Sequence, residues 1–311
     1  MKFNSSDFYR IQSDASHKKI YRFKNENKRK ILIDFSYNRK DYLSFLEIHN
    51  FLSMINISVP KIFDNDDSKS IILMEDFGNS RYDKIINNTN PKEILIDAIN
   101  SLIEIHKTQK SLVNIGLQYY DFSTFKFEIT EFVDFYFPYK NISDDLIDEF
   151  FYIWKYEFEN LNFNWNSFVH KDFELSNLMH LPQRESHLKC GILDFQNAFI
   201  GFVGWDVFSL LENPRIYFED KYNDELIEYF FKKTYQKINF KDFLIQYYFL
   251  NTARQTRIIG RWVNLDIKNN NNFYQSNFHI VTIKRLKNSL FNLQNKKLIN
   301  LYKTILKNEK F

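Results

Sequence analysis

The sequence predicts an α+β chain in two parts, a small antiparallel-sheet lobe over residues 1–78 and a larger, mainly helical lobe over residues 79–311. Three observations lead there. Short alternating apolar runs bounded by polar turns fill the first part. Apolar residues at helical spacing dominate the second. Between them, Gly78 and the polar residues after it interrupt both patterns.

The elements follow in order. Residues 19–23 (Lys-Ile-Tyr-Arg-Phe) and 30–35 (Lys-Ile-Leu-Ile-Asp-Phe) read as strands separated by a polar turn over 24–29. Residues 39–55 place Tyr42, Phe45, Leu46, His49, Leu52 and Ile55 on one helical face. Pro60 opens another strand, residues 64–68 form a turn, and residues 70–75 form a strand. The first lobe is therefore strand, strand, helix, strand, strand. Pro91 stands just before a helix over 92–107, where proline is favoured. Residues 123–137 and 143–160 are further helices. Residues 168–198 change to short apolar runs around turn residues, including Pro182, which fits a loop followed by a hairpin. Helix returns from 206 to about 265, a polar loop covers 269–272, and the remainder to Phe311 reads as a basic amphipathic helix.

Composition excludes several classes. With 44% hydrophobic residues, the 311-residue chain can bury a substantial core, which argues against global disorder. Lys+Arg is 42 and Asp+Glu 39; a net charge of +3 gives no electrostatic case for nucleic acid. Phe (34) and Tyr (19) are abundant, an excess that A-T-rich codons explain without a base-stacking surface. Cys190 is the single cysteine, so no intrachain disulfide forms. No apolar signal segment opens the chain and no apolar run reaches membrane-spanning length, so the expected compartment is the cytoplasm. No membrane, nucleic-acid or obligate protein partner is expected.

The chemistry concentrates in one segment. Residues 170–177 read His170-Lys-Asp172-Phe-Glu-Leu-Ser-Asn177, and Gly191-Ile-Leu-Asp194-Phe-Gln196 follows. Asp172 can take a proton from a hydroxyl, and Asn177 and Asp194 can hold magnesium against nucleotide phosphates. Magnesium prefers oxygen ligands and needs few from protein. Of six glycines, Gly191, Gly201 and Gly204 lie near Asp194, where backbone must approach closely or turn.

These residues resemble the aminoglycoside phosphotransferase and choline kinase superfamily, relatives of protein kinases. They are most similar to a bacterial branch that contains the N-acetylmuramate/N-acetylglucosamine anomeric kinases. The resemblance is carried by Ser13-Asp-Ala-Ser-His-Lys-Lys-Ile-Tyr-Arg22, Leu73-Met-Glu-Asp-Phe-Gly78, the 170–179 loop, residues 190–211 and the helical stretch 251–265. It implies a two-lobed protein-kinase-like fold using ATP and Mg2+. It also implies Asp172 as catalytic base, Asn177 and Asp194 as magnesium ligands, His170 packed beneath the loop, and Asp206 bracing it. The backbone of Glu75 to Phe77 would meet adenine. The turn of Ser13, Asp14, Ala15 and Ser16 would cover the phosphates.

One departure matters. The strand that carries a phosphate-binding lysine in a typical kinase reads Ile31-Leu-Ile-Asp34, with no lysine at its centre. The cation could come from Lys18, Lys19 or Arg22. Arg254, Arg257 and Arg261 share a helix face; they either meet an anionic substrate group or form a solvated basic face. The expected function is transfer of the ATP γ-phosphate to a sugar hydroxyl, best the anomeric hydroxyl of N-acetylmuramate or N-acetylglucosamine. The alternatives are an aminoglycoside, choline or other alcohol acceptor, and a nucleotide-binding pseudokinase.

Overall fold

The computed structural model describes residues 7–11, 18–25, 29–107, 115–161, 165–215, 221–234, 238–269 and 276–309. Strands β1 (Phe8–Ile11), β2 (Lys19–Phe23) and β3 (Lys30–Asp34) precede helix α1 (Arg39–Met54). Strands β4 (Ile62–Asp66) and β5 (Ile71–Glu75) follow, then α2 (Tyr82–Ile85), α3 (Pro91–Lys107), α4 (Phe122–Lys140) and α5 (Asp145–Asn160). Next come β6 (Ser167–Val169), β7 (Leu178–His180), β8 (Cys190–Ile192) and β9 (Phe199–Gly201). The chain closes with α6 (Trp205–Leu211), α7 (Lys221–Lys233), α8 (Phe240–Asn269), α9 (Asn277–Leu293) and α10 (Lys296–Ile305).

The first five strands form one antiparallel sheet in the order β1-β2-β3-β5-β4. An antiparallel-sheet lobe followed by mainly helical chain is therefore the observed fold class. Strand β1 was not expected; its four residues pair along their whole length with β2, which supplies the backbone partners that so short a run lacks alone. The turn between β4 and β5 lies at 67–70, not 64–68. Asp64 and Asn65 stay in the strand because a register shift between Ile62 and Asp64 leaves their side chains exposed. The expected last helix is two, broken where Gln294 turns to φ 55° and Asn295 caps α10 by accepting from the Leu298 amide.

The chain divides into two compact units. The first holds Met1–Leu117, His170–Phe199 and Lys221–Tyr235, so it takes in the whole of residues 1–78 and continues well beyond them. In it, Asn38 caps α1 through the amides of Lys40 and Asp41. Helix α1 buries Tyr42, Phe45, Ile48, His49, Phe51 and Leu52, and the Phe45 ring lies 5.3 Å from that of Phe35. Helix α3 is fixed through Ser101 Oγ, which donates to His187 O at 2.5 Å, and through Asn100, which accepts from Tyr229 of α7 at 2.9 Å.

The second unit holds Gln118–Val169, Ile200–Asp220 and Gln236–Phe311. Its core is aromatic: Phe125 lies 4.8 Å from Phe158, 5.4 Å from Trp154 and 5.7 Å from Phe249. The abundant rings thus serve packing. Gly260 of α8 is required there, because a Cβ would come within 2.4 Å of Glu131 O on α4. Trp205 and Trp262 are core residues too, 3% and 2% exposed, and not free to stack on a sugar.

Candidate active site

The hairpin β7–β8 assembles the site. Its register pairs Leu178 with Ile192, and Leu193 N donates to Asn177 O at 2.9 Å. Asn177, just before β7, and Asp194, just after β8, therefore meet at the same end of the hairpin. Asn177 closes a short 3-10 turn, Leu175–Asn177, and its Nδ2 donates to the Asp172 carbonyl at 2.9 Å. That bond uses the amide nitrogen and leaves Oδ1 as an oxygen ligand. The same Asp172 carbonyl accepts from Glu174 N at 2.8 Å. The loop thus folds around the backbone of Asp172, whose side chain is half-buried.

Two non-glycine residues here have left-handed backbone, Lys171 at φ 82° and Asp194 at φ 64°. Such strain persists only where surrounding bonds over-determine it. Those bonds are visible. His170 is 1% exposed, and its Nε2 donates to Leu193 O at 2.9 Å, so the loop is tied to the end of β8. Burial pushes the His170 imidazole down to about 4, which keeps it neutral and able to hold that bond at ordinary pH. Phe195 is fully buried and stacks 4.6 Å from Phe45, which anchors the Asp194 backbone to α1.

Asp194 Oδ1 accepts from Lys18 Nζ, and from Gln196 Nε2 at 2.9 Å. Burial alone would raise its carboxyl, but the Lys18 ammonium and the Gln196 amide outweigh burial and hold it below the usual carboxylate range. Asp194 is thus kept as the anion a divalent cation requires. Asn177 Oδ1 and the Asp194 carboxylate form a hard, two-oxygen donor set, which suits magnesium, an ion that usually keeps several waters. Among the described residues, no group of three or more His, Cys, Asp or Glu could hold a metal ion.

The candidate nucleotide residues separate sharply. Ser13, Asp14, Ala15 and Ser16 lie outside the described residues. Lys19 is exposed, whereas Lys18 is 6% exposed. Arg22 is committed to the end of β5: it pairs with Asp76 at 2.7 Å and donates to Gly78 O at 2.9 Å and Asn79 Oδ1 at 2.6 Å. Arg22 therefore clamps the connecting segment, and a contact with phosphate would require it to leave these partners. The Phe77 ring packs with Met179 and Leu181, under the Arg184 guanidinium at 4.9 Å. Arg184 in turn reaches Glu75 at 3.1 Å.

Asp206 is 1% exposed in the first turn of α6, in the second unit. Arg254, Arg257 and Arg261 also lie in that unit, on α8. The three arginines of that face have different surroundings. Arg254 is buried at 5% exposure, Arg257 pairs with Glu128 at 3.2 Å, and Arg261 pairs with Glu131 at 2.5 Å. Acidic residues one turn apart on α4 neutralise what the α8 spacing alone presents as a bare basic stripe.

The sequence alone suggested no side-chain role for Phe195, Asp76 or Arg184. Phe195 carried a signal, an apolar residue adjoining Asp194. The pairing of Arg22 with Asp76 joins residues 54 apart and has no local signature. Glu47 is an exposed residue of α1 and accepts from Gly116 N at 2.8 Å.

Residues 7–240 match the phosphotransferase enzyme family. The chain is 26% identical over 257 residues to the N-acetylmuramate/N-acetylglucosamine kinase of Pseudomonas aeruginosa, covering 80% of this chain and 73% of that one. It is 29% identical over 181 residues to the N-acetylmuramate/N-acetylglucosamine kinase of Caulobacter vibrioides, covering 55% of this chain and 50% of that relative's length. The structure of an aminoglycoside phosphotransferase in ternary complex with streptomycin and ATP superposes with a TM-score of 0.58, covering 90% of this chain and 99% of that one at 12% identity. The hairpin-borne Asp172, Asn177 and Asp194 sit inside the matched span, and the chain belongs to the phosphotransferase enzyme family.

Proposed function

We propose that this protein is an ATP- and magnesium-dependent sugar kinase that phosphorylates the anomeric hydroxyl of N-acetylmuramate or N-acetylglucosamine in the cytoplasm. The observation that carries the reading is the hairpin end that brings Asn177 and Asp194 together beside Asp172, with the Asn177 amide nitrogen held by the Asp172 carbonyl. The relatives of that name support the choice of acceptor.

In this reading Asp172 is the base. The acceptor hydroxyl oxygen forms a bond to the γ-phosphorus, the bond from phosphorus to the bridging oxygen of ADP breaks, and the hydroxyl proton passes to the Asp172 carboxylate. An anomeric hydroxyl is more acidic than an ordinary alcohol, so a carboxylate suffices. Magnesium, when bound, neutralises the phosphate oxygens; Asn177 Oδ1 and the Asp194 carboxylate hold it. The backbone of Glu75 to Phe77 receives the adenine edge, held in place by Arg22 on one side and Arg184 on the other. His170 positions the loop and touches no substrate.

The paired arginines of α8 are left out of this assignment, which also removes them as an argument against a cationic acceptor. The test therefore includes one. ADP release with magnesium and ATP is measured against N-acetylmuramate, N-acetylglucosamine, choline and a kanamycin-type aminoglycoside, with Asp172→Asn alongside. Turnover with an amino sugar alone, abolished in Asp172→Asn, is the expected result. Turnover with choline or the aminoglycoside alone overturns the acceptor, and full activity of Asp172→Asn overturns the base.

A further inference from the structure

Strand β3 offers no cation to a nucleotide. Its centre, Ile31, Leu32 and Ile33, is buried and apolar, and its one lysine, Lys30, sits at the far end over the Phe63 ring at 5.3 Å. Arg22 is occupied by Asp76 and the segment after it, and Lys19 is exposed. Lys18 differs from both. It immediately precedes β2, whose register sets Lys19 opposite Asp34, so Lys18 enters beside the other end of β3. Its ammonium lies 5.9 Å from the centre of the Phe35 ring and bonds to Asp194.

The two ends of this ion pair rest on one aromatic stack. Phe35 carries Lys18, Phe35 packs on Phe45 at 5.3 Å, and Phe45 packs on Phe195 at 4.6 Å, the residue after Asp194. Phe35 and Phe195 are fully buried and Phe45 is 2% exposed, so core packing fixes the ring beside the Lys18 ammonium and the residue that follows Asp194. The stack fixes a cation beside the metal carboxylate while leaving its long stem able to swing.

We infer that Lys18 supplies the phosphate-neutralising cation missing from β3, and that without nucleotide it occupies the magnesium carboxylate of Asp194, so that magnesium-nucleotide entry exchanges the ammonium for the metal. The ammonium bonds directly to Asp194 Oδ1, and a dication on the same carboxylate repels it. When the dication takes the carboxylate, the displaced ammonium has the nucleotide phosphates as its new partner. Magnesium without nucleotide has to displace Lys18 with no phosphates to receive it, so the free metal binds more weakly than magnesium-nucleotide. This deepens the proposed kinase reading and rests on its nucleotide and metal assignment.

Calorimetric titration of magnesium-ATP, with no acceptor present, into wild type, Lys18→Met, Lys18→Arg and the surface control Lys19→Met tests it. Lys18→Met is expected to lose at least about tenfold in affinity, with partial recovery in Lys18→Arg and none lost in Lys19→Met. The second readout omits nucleotide: magnesium alone should raise the melting temperature of Lys18→Met more than that of wild type, because the carboxylate has lost its resident ammonium. Lys18→Gln gives the same comparison if Lys18→Met does not fold. Equal magnesium-ATP affinity in wild type and Lys18→Met, or equal melting shifts with magnesium alone, overturns the inference while leaving the kinase reading intact. Failure of wild type itself to bind magnesium-ATP overturns both.

Discussion

Gly191→Ala is a small change at a crowded place. A Cβ on Gly191 would lie 2.7 Å from two ring carbons of Phe77 and 2.9 Å from Leu181 Cδ1. Ordinary carbon contacts begin near 3.5 Å, so one neighbour has to retreat by nearly 1 Å. Leu181 is 2% exposed and Phe77 is 9% exposed, so neither has open space to enter. Overpacking of this kind costs about 1–3 kcal/mol. On a chain of this size that corresponds to a fall in melting temperature of roughly 1–5 °C. The ring that moves is held under Arg184, which also reaches Glu75, so the strain passes into the backbone proposed to receive adenine. The KM for ATP should therefore rise about three- to tenfold while the KM for the acceptor is unchanged. Shortening the opposing side chain, in Gly191→Ala with Phe77→Leu, should recover part of the lost melting temperature. Steady-state kinetics in both substrates and thermal melts decide it. A Gly191→Ala protein with wild-type melting and wild-type ATP dependence would refute the close-packing argument.

Three other outcomes are expected. Asp172→Asn should lower kcat by about 100-fold or more while magnesium-ATP affinity stays near wild type, since its side chain acts on the acceptor; calorimetry beside turnover separates the two. Asp194→Asn leaves the 7%-exposed Lys18 side chain without its carboxylate. Because Asp194 is itself 35% exposed, the cost is the lower part of the buried-pair range, about 1–3 kcal/mol, read from denaturant unfolding. His106 is fully buried edge-on to Phe230, and its ring nitrogens lack partners among the described residues. Burial pushes its imidazole from 6.5 down to about 3. With the folded value depressed, the unfolded chain takes up the proton first, so stability is kept above about pH 6.5 and lost as pH falls below it. At pH 4.5 the loss from this group is about 3 kcal/mol. His106→Leu should therefore flatten the fall in melting temperature between pH 7 and pH 4.5, and an unchanged slope would contradict the assignment.

Much of the fold was legible because it is written in local pattern. Alternation marked β2, β3 and β5, and the spacing of Tyr42, Phe45, His49 and Leu52 marked α1. Elements whose stability comes from a partner were not legible. Strand β1 exists through its pairing with β2, and the break at Gln294 depends on a single positive φ that the basic, apolar-striped sequence does not announce. The candidate site divides the same way. Asp172 and Asn177 are five residues apart, so their joint role is readable from spacing, and Asp194 follows within one hairpin.

What the sequence alone determined was the chemistry available: an acid, an amide and a second acid in the order that phosphoryl transfer uses, and a β3 without its lysine. What only the tertiary structure decided was which charges are already spent. Arg22, Arg257 and Arg261 look like free cations in the chain, yet Asp76, Glu128 and Glu131 meet them from 54, 129 and 130 residues away. Lys18 looks like one of a pair of surface lysines, yet burial and the Phe35–Phe45–Phe195 stack hold it on Asp194. Charge is a property of a residue type, but its availability is set by the nearest opposite charge and by desolvation. Both depend on contacts between distant parts of the chain, which spacing along a sequence does not record.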